Sequence, residues 1–231
     1  MKNIVLSGLT AFLAGSLLAA DSSPRDEVVK AAKQLGEKAG YSWKTTIVVP
    51  DDAQFRPGPT EGKTEKDGMT HLKMSFFDNT MEAVLKGDKG AVTTEAGWQS
   101  LAELDKDEGP GRFLGLMVRN TKFPVTEATQ LASFAKDLKK DGDTYSGDLS
   151  EEGAKEIQLF KIPGMDVAVS GAKASVKFWL KDGALTKYEF KAKGSIKFGD
   201  NDFPNDRTTT VEIKDVGTTK VEVSEAAKKK L

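Results

Sequence analysis

The chain has no cysteine and a single histidine, His71, in 231 residues. These two scarcities exclude more chemistry than any motif supplies. Without Cys there is no disulfide framework, no thiolate nucleophile, no thiolate-bound zinc and no acylated cysteine of a bacterial lipid-anchored protein. One His rules out H-E-x-x-H and three-His metal centres. A Ser–His–Asp triad would have only His71 to use, and no G-x-S-x-G elbow occurs. Excess charge of one sign is missing too: 34 basic against 35 acidic residues leave a net charge of −1. So balanced a chain offers no general attraction for nucleic acid, which needs a basic face. Beyond the first twenty residues no apolar run approaches a membrane span.

Those first twenty residues are the clearest positive signal. Lys2 supplies a basic n-region, Ile4–Ala20 carries no charge, and Ala19-Ala20-Asp21 offers small residues at a cut. This is the layout of a secretory signal peptide cleaved near Ala20, which implies a periplasmic or secreted protein. The rival is an uncleaved anchor, since Leu18 is larger than the usual Ala at its position. The short run with Gly8 and Gly15 argues against that rival. Residues 21–231 then form one domain, long enough to rest on its own core.

Ser23-Pro24-Arg25-Asp26 predicts a helix start, with Val28, Ala31, Ala32, Leu35 and Ala39 at helical spacing and Gly40 as the stop. Tyr41–Val49 reads as a strand. Residues 50–68 hold Pro50, Pro57, Gly58, Pro59, Gly62 and Gly68 among charges and read as a long exposed loop. Met69–Phe77, Thr80–Lys86 and Ala91–Thr94 follow as a meander with short turns. A helix is expected over Pro124–Lys140, shorter ones over Arg112–Arg119 and from Ser150 to near Phe160, and a short strand over Asp143–Asp148.

The last third alternates most cleanly. Ala174–Leu180 and Ala184–Phe198 flank the hairpin signal Lys181-Asp182-Gly183. Thr186, Tyr188, Phe190, Ala192, Ile196 and Phe198 share one face of the second strand; Lys187, Glu189, Lys191, Lys193, Ser195 and Lys197 share the other. At about 3.3 Å per residue that strand is roughly 50 Å long, so it must curve, and Gly194 is the natural bend. Arg207–Lys214 and Lys220–Val223 are expected to complete the sheet, with Lys228–Lys230 as a solvated tail. The fold class is α+β: a strongly curved antiparallel sheet, an incomplete β-barrel, covered by an N-terminal helix and mid-chain helices.

This order, with Tyr41-Ser42-Trp43 after the first helix, Lys181-Asp182-Gly183 before Leu185-Thr186-Lys187-Tyr188, and Thr208–Val216 closing with Gly217-Thr218-Thr219-Lys220-Val221, resembles the bacterial envelope superfamily of LolA/LolB-type lipoprotein carriers and LppX/LprG-type lipid carriers. The resemblance implies a hydrophobic acyl-bearing ligand cupped between an incomplete barrel and its covering helices.

Candidate chemistry is thin. His71 alternates with Leu72, Met74 and Phe76, which places it on the outer face as a surface strand residue rather than a catalytic one. Asp200–Asp206 is rich in oxygens but fails the EF-hand pattern at Pro204, so it reads as a polar turn. No cofactor or metal is implied. The remaining candidate is the apolar strand face itself: Trp43, Met74, Phe76, Leu85, Phe178, Tyr188, Phe190 and Phe198 as ligand-binding residues on one concave surface. The same residues would serve equally as an ordinary core against the helices. Two functions stay open: a non-enzymatic exported carrier for a lipid or acyl-bearing ligand with at most transient membrane contact, or an envelope protein-interaction or scaffolding module with a filled core.

Overall fold

A computed structural model describes residues 22–53, 56–76, 79–159, 167–198 and 201–231; the leader and its cleavage site, the Asp78-Asn79 turn and Phe160 fall wholly or partly outside them. Helix α1 spans Pro24–Gly36, started as the sequence predicts: Ser23 Oγ accepts from the Asp26 N–H at 3.2 Å and Pro24 occupies the first turn. It ends four residues before Gly40. That glycine opens strand β1, Gly40–Val48, where a Cβ would lie 2.6 Å from the Thr219 carbonyl oxygen. Close passage of the C-terminal segment, not helix termination, fixes glycine there.

Strands β2 (Thr60–Glu65), β3 (Thr70–Phe76), β4 (Asn79–Lys86), β5 (Lys89–Thr94) and β6 (Gly97–Ser100) form the meander. The expected loop over 50–68 is therefore corrected: it contains β2, paired between β1 and β3. Its sequence looks unlike a strand because its inward position is Gly62, directly opposite Trp43, whose indole covers it.

Helices α2 (Leu101–Leu104), α3 (Pro110–Asn120) and α4 (Pro124–Phe134) follow, then β7 (Lys139–Asp141), β8 (Thr144–Asp148) and α5 (Glu151–Glu156). The fourth helix stops before the expected Lys140. Ala135 leaves it to form a bridge with Leu149, and Arg25 donates to the Ala135 and Lys136 carbonyls. That exchange satisfies the carbonyls of the broken end and lets Lys139–Asp141 pair with β8.

Strands β9 (Val167–Lys181) and β10 (Ala184–Phe198) make the long hairpin, with Asp182 and Gly183 at φ 52° and 75° as a tight primed turn requires. The alternation of β10 holds with one change of phase. A register shift between Leu185 and Lys187 buries Leu185 and exposes Thr186, which the sequence pattern had put on the apolar face. A second shift between Lys193 and Ser195 falls at the predicted bend. Strand β11 (Asn201–Pro204) pairs with β10, so part of the Asp200–Asp206 segment is ladder rather than turn. Strand β12 (Arg207–Lys214) closes the gap between β10 and β1.

Lys220–Val223 is not a strand. The last element is helix α6 (Glu225–Lys228), capped by Ser224 and seated by buried Ala227, with Lys230 Nζ 2.7 Å from Glu103. The expected solvated tail is thus tied to α2.

The sheet is antiparallel throughout and open, ordered β6-β5-β4-β3-β2-β1-β12-β10-β9-β8-β7, with β6 and β7 as its two edges. Helices α1 and α4 pack on each other, and α1 also lies on β10; α2, α3 and α6 cover the β5–β6 end. One apolar cluster runs between sheet and helices, and small residues supply much of the helical side: Ala31, Ala32, Ala128 and Ala132 are fully buried.

Candidate functional site

The concave face is built by the inward residues of eight strands, β1, β3, β4, β5, β8, β9, β10 and β12. On β1, Tyr41 and Trp43 stand side by side with ring centroids 5.7 Å apart, and Phe123 meets Trp43 edge-on at 6.1 Å. Met74 of β3 is buried beside them, its sulfur 3.9 Å from Thr121 Oγ1. On the other side Phe178 of β9 is opposite Tyr188 of β10, with ring centroids 6.2 Å apart, and Phe190 is opposite Val176. Trp43, Met74, Phe178, Tyr188 and Phe190 thus belong to one cluster, with Leu85 packed against it half-buried. The side chains of Phe76 and Phe198 lie outside the described part of the structure. None of the five buried members is more than 5% exposed.

A group of polar residues enters this apolar face between α4 and the start of β12. Glu127 sits in the first turn of α4, one helical turn from Pro124 and from Leu131 and next to Ala128 on the buried stripe. It accepts a 2.7 Å hydrogen bond from the Tyr188 hydroxyl. Burial holds the Glu127 carboxyl above the usual carboxylate range, against the Tyr188 hydrogen bond and the positive charge of Arg207, which pull it down. Burial and then the charge of Glu127 raise the Tyr188 phenol well above its ordinary value, and burial pushes Tyr41 up to about 12. Arg207 opens β12 on the inward phase shared by Thr209, Val211 and Ile213. Its guanidinium donates to Asn205 Oδ1 and to the Ile157 carbonyl, both at 2.9 Å, and desolvation lowers its pKa. Asn205 donates in turn to buried Gln158. Thr209, opposite Phe190, keeps a buried hydroxyl with no hydrogen-bond partner among the described residues.

This polar group stands outside the expected apolar wall, although the sequence carries a signal for it. Glu127 shares the apolar stripe of its helix, and Arg207 and Thr209 occupy the inward phase of their strand. Either pattern marks a polar residue where packing asks for an apolar one.

Two adjoining open grooves, of about 540 and 650 Å³, lie on the opposite, convex face around Lys136, Asp148, Ser175 and Lys191. Lysines and carboxylates line both, and Leu149, Ala172 and Ala174 add an apolar part to the larger one. His71 is on that outer side as expected, with Nε2 2.9 Å from Glu82 and the side chain about a quarter exposed. The described residues contain no cluster of three metal-ligating side chains and no helix long and apolar enough to cross a membrane.

Two solved mycobacterial structures are similar to this chain in layout. Mycobacterium tuberculosis lipoprotein LppX is 12% identical, with a TM-score of 0.48 over 87% of this chain and 98% of its own. LprF from Mycobacterium bovis is 10% identical, with a TM-score of 0.49 over 88% of this chain and 97% of its own. No protein-family model matches the chain, and no curated protein matches it in sequence.

Proposed function

We propose that this protein is an exported, non-enzymatic carrier that holds a lipid or acyl-bearing ligand under its curved sheet. The observation that carries the reading is the open sheet with an apolar concave face, roofed by helices of which α1 and α4 each bury two alanines beside larger apolar residues. An open sheet can widen without breaking a closed ring of ladders. Trp43, Met74, Phe76, Leu85, Phe178, Tyr188, Phe190 and Phe198 are the wall we assign to the acyl chain. Mass spectrometry of organic extracts from the purified protein tests this. A co-purifying lipid, or uptake of a fluorescent fatty acid by the emptied protein, is the expected result; neither one appearing sinks the carrier reading.

One observation favours the alternative, an envelope interaction or scaffolding module. The five described wall residues of the central cluster already pack against one another and the helices with almost no exposure. A core filled to ordinary density needs no ligand. In that case, organic extracts are empty and a partner protein, not a lipid, co-purifies.

A further inference from the structure

The polar group on the concave face has a composition that an apolar core does not need. Arg207 carries five N–H donors, and the described residues supply it with two acceptors, Asn205 Oδ1 and the Ile157 carbonyl. No carboxylate forms an ion pair with it among the described residues; Glu127 acts on it only through its field. Glu127 and Arg207 are each closely surrounded by protein atoms, yet neither is wholly shielded from the surface. Two residues along the same inward phase, the Thr209 hydroxyl is buried without a partner, a state that costs free energy unless something answers it.

We propose that Arg207, with Thr209 beside it and the Glu127–Tyr188 pair near it, receives the anionic head of an amphiphile, a carboxylate or phosphate monoester, whose acyl chain runs along the concave face. This rests on the carrier reading and adds to it a polarity: head at the Arg207 end, chain toward Phe190 and Tyr188. The planar guanidinium can bind two oxygens of such a head side by side, and the Thr209 hydroxyl supplies a further donor.

The test uses the full chain with cis-parinaric acid and its methyl ester, which share a tail and differ in head charge. The wild type is expected to bind the acid roughly tenfold tighter than the ester. Arg207→Met is expected to bring that ratio close to one while ester binding persists, and Thr209→Val to weaken the acid several-fold. Thr209→Val is nearly isosteric, so it decides the matter if Arg207→Met fails to fold by circular dichroism. Equal binding of acid and ester by the wild type overturns the head-group site and leaves the carrier reading standing. Binding of neither probe overturns both. Inorganic phosphate at millimolar concentration is expected not to displace the acid; full displacement overturns the amphiphile in favour of a free anion.

Discussion

Substitution of Gly62 by alanine tests the packing of the concave face at its tightest point. A Cβ on Gly62 would sit 2.1 Å from Cζ2 of Trp43, 2.3 Å from Cε2 and 2.5 Å from Cη2. Carbon atoms in favourable contact are about 3.5–4.0 Å apart, so the indole must retreat by more than an ångström. It has nowhere easy to go. Trp43 is 3% exposed, with Tyr41 at 5.7 Å on one side and Phe123 edge-on at 6.1 Å on the other. Overpacking of this kind costs about 1–3 kcal/mol, against which alanine's advantage over glycine in a strand returns about 0.5–1 kcal/mol. A net loss near 1–2 kcal/mol is expected by urea denaturation. The cause is isolated by a cycle with Trp43→Ala: once the indole is gone, Gly62→Ala should be neutral or stabilising, a coupling of about 1–3 kcal/mol. Equal penalties for Gly62→Ala with and without the indole would refute the packing, and with it the place of Trp43 in the wall.

Phe190→Ala is expected to cost about 3–5 kcal/mol if the face is a filled core and clearly less, with reduced fatty-acid uptake, if it lines a ligand space; Lys191→Ala, outward on the same strand, should stay within about 0.5 kcal/mol of wild type. Because the folded-state pKa of Glu127 is raised, the folded protein holds a proton that the unfolded chain releases, so stability falls as pH rises from the unfolded carboxylate value through the folded one. Glu127→Gln should flatten that decline, measured as Cm against pH, and an unchanged slope would assign the decline elsewhere. Ser23→Ala removes the acceptor for the Asp26 N–H and is expected to cost about 1 kcal/mol in thermal or urea unfolding.

Much of the fold was legible because side chains carried the period of the backbone. Tyr41–Val49 and Ala184–Phe198 alternate, and both are strands within a residue or two of the expected bounds. The failures have local causes. Strand β2 hid because its inward residue is a glycine serving Trp43, so its hydrophobicity belongs to the neighbouring strand. The helix at 124 ran on past Phe134 in expectation because Leu138 continues the stripe, whereas the structure uses that stretch to reach Leu149 and β8. Val221 and Val223 alternate like a strand, yet the Val221 N–H goes to the Glu65 carboxylate instead of a ladder. For the site, the aromatic members were readable as an apolar face. Glu127, Arg207 and Thr209 carry only the weaker signal of polar residues at inward positions, and their grouping shows only once α4 and β12 are laid on the same surface.

The position of β12 also governs the order in which this sheet can be assembled. Every other ladder on the main path except that junction joins strands that are neighbours in sequence, but β12 pairs residue 213 with residue 43 and residue 211 with residue 188. A chain emerging from its N-terminus can therefore zip β1–β6 and β7–β10 as two separate sheets, each with an unpaired edge, at β1 and at β10. The β10 edge needs only a local connection, since Arg207 pairs with Ala192 fifteen residues back, so the junction that must close a very long loop is β1–β12. By loop closure alone, the β1–β12 ladder in the middle of the finished sheet is expected to form last.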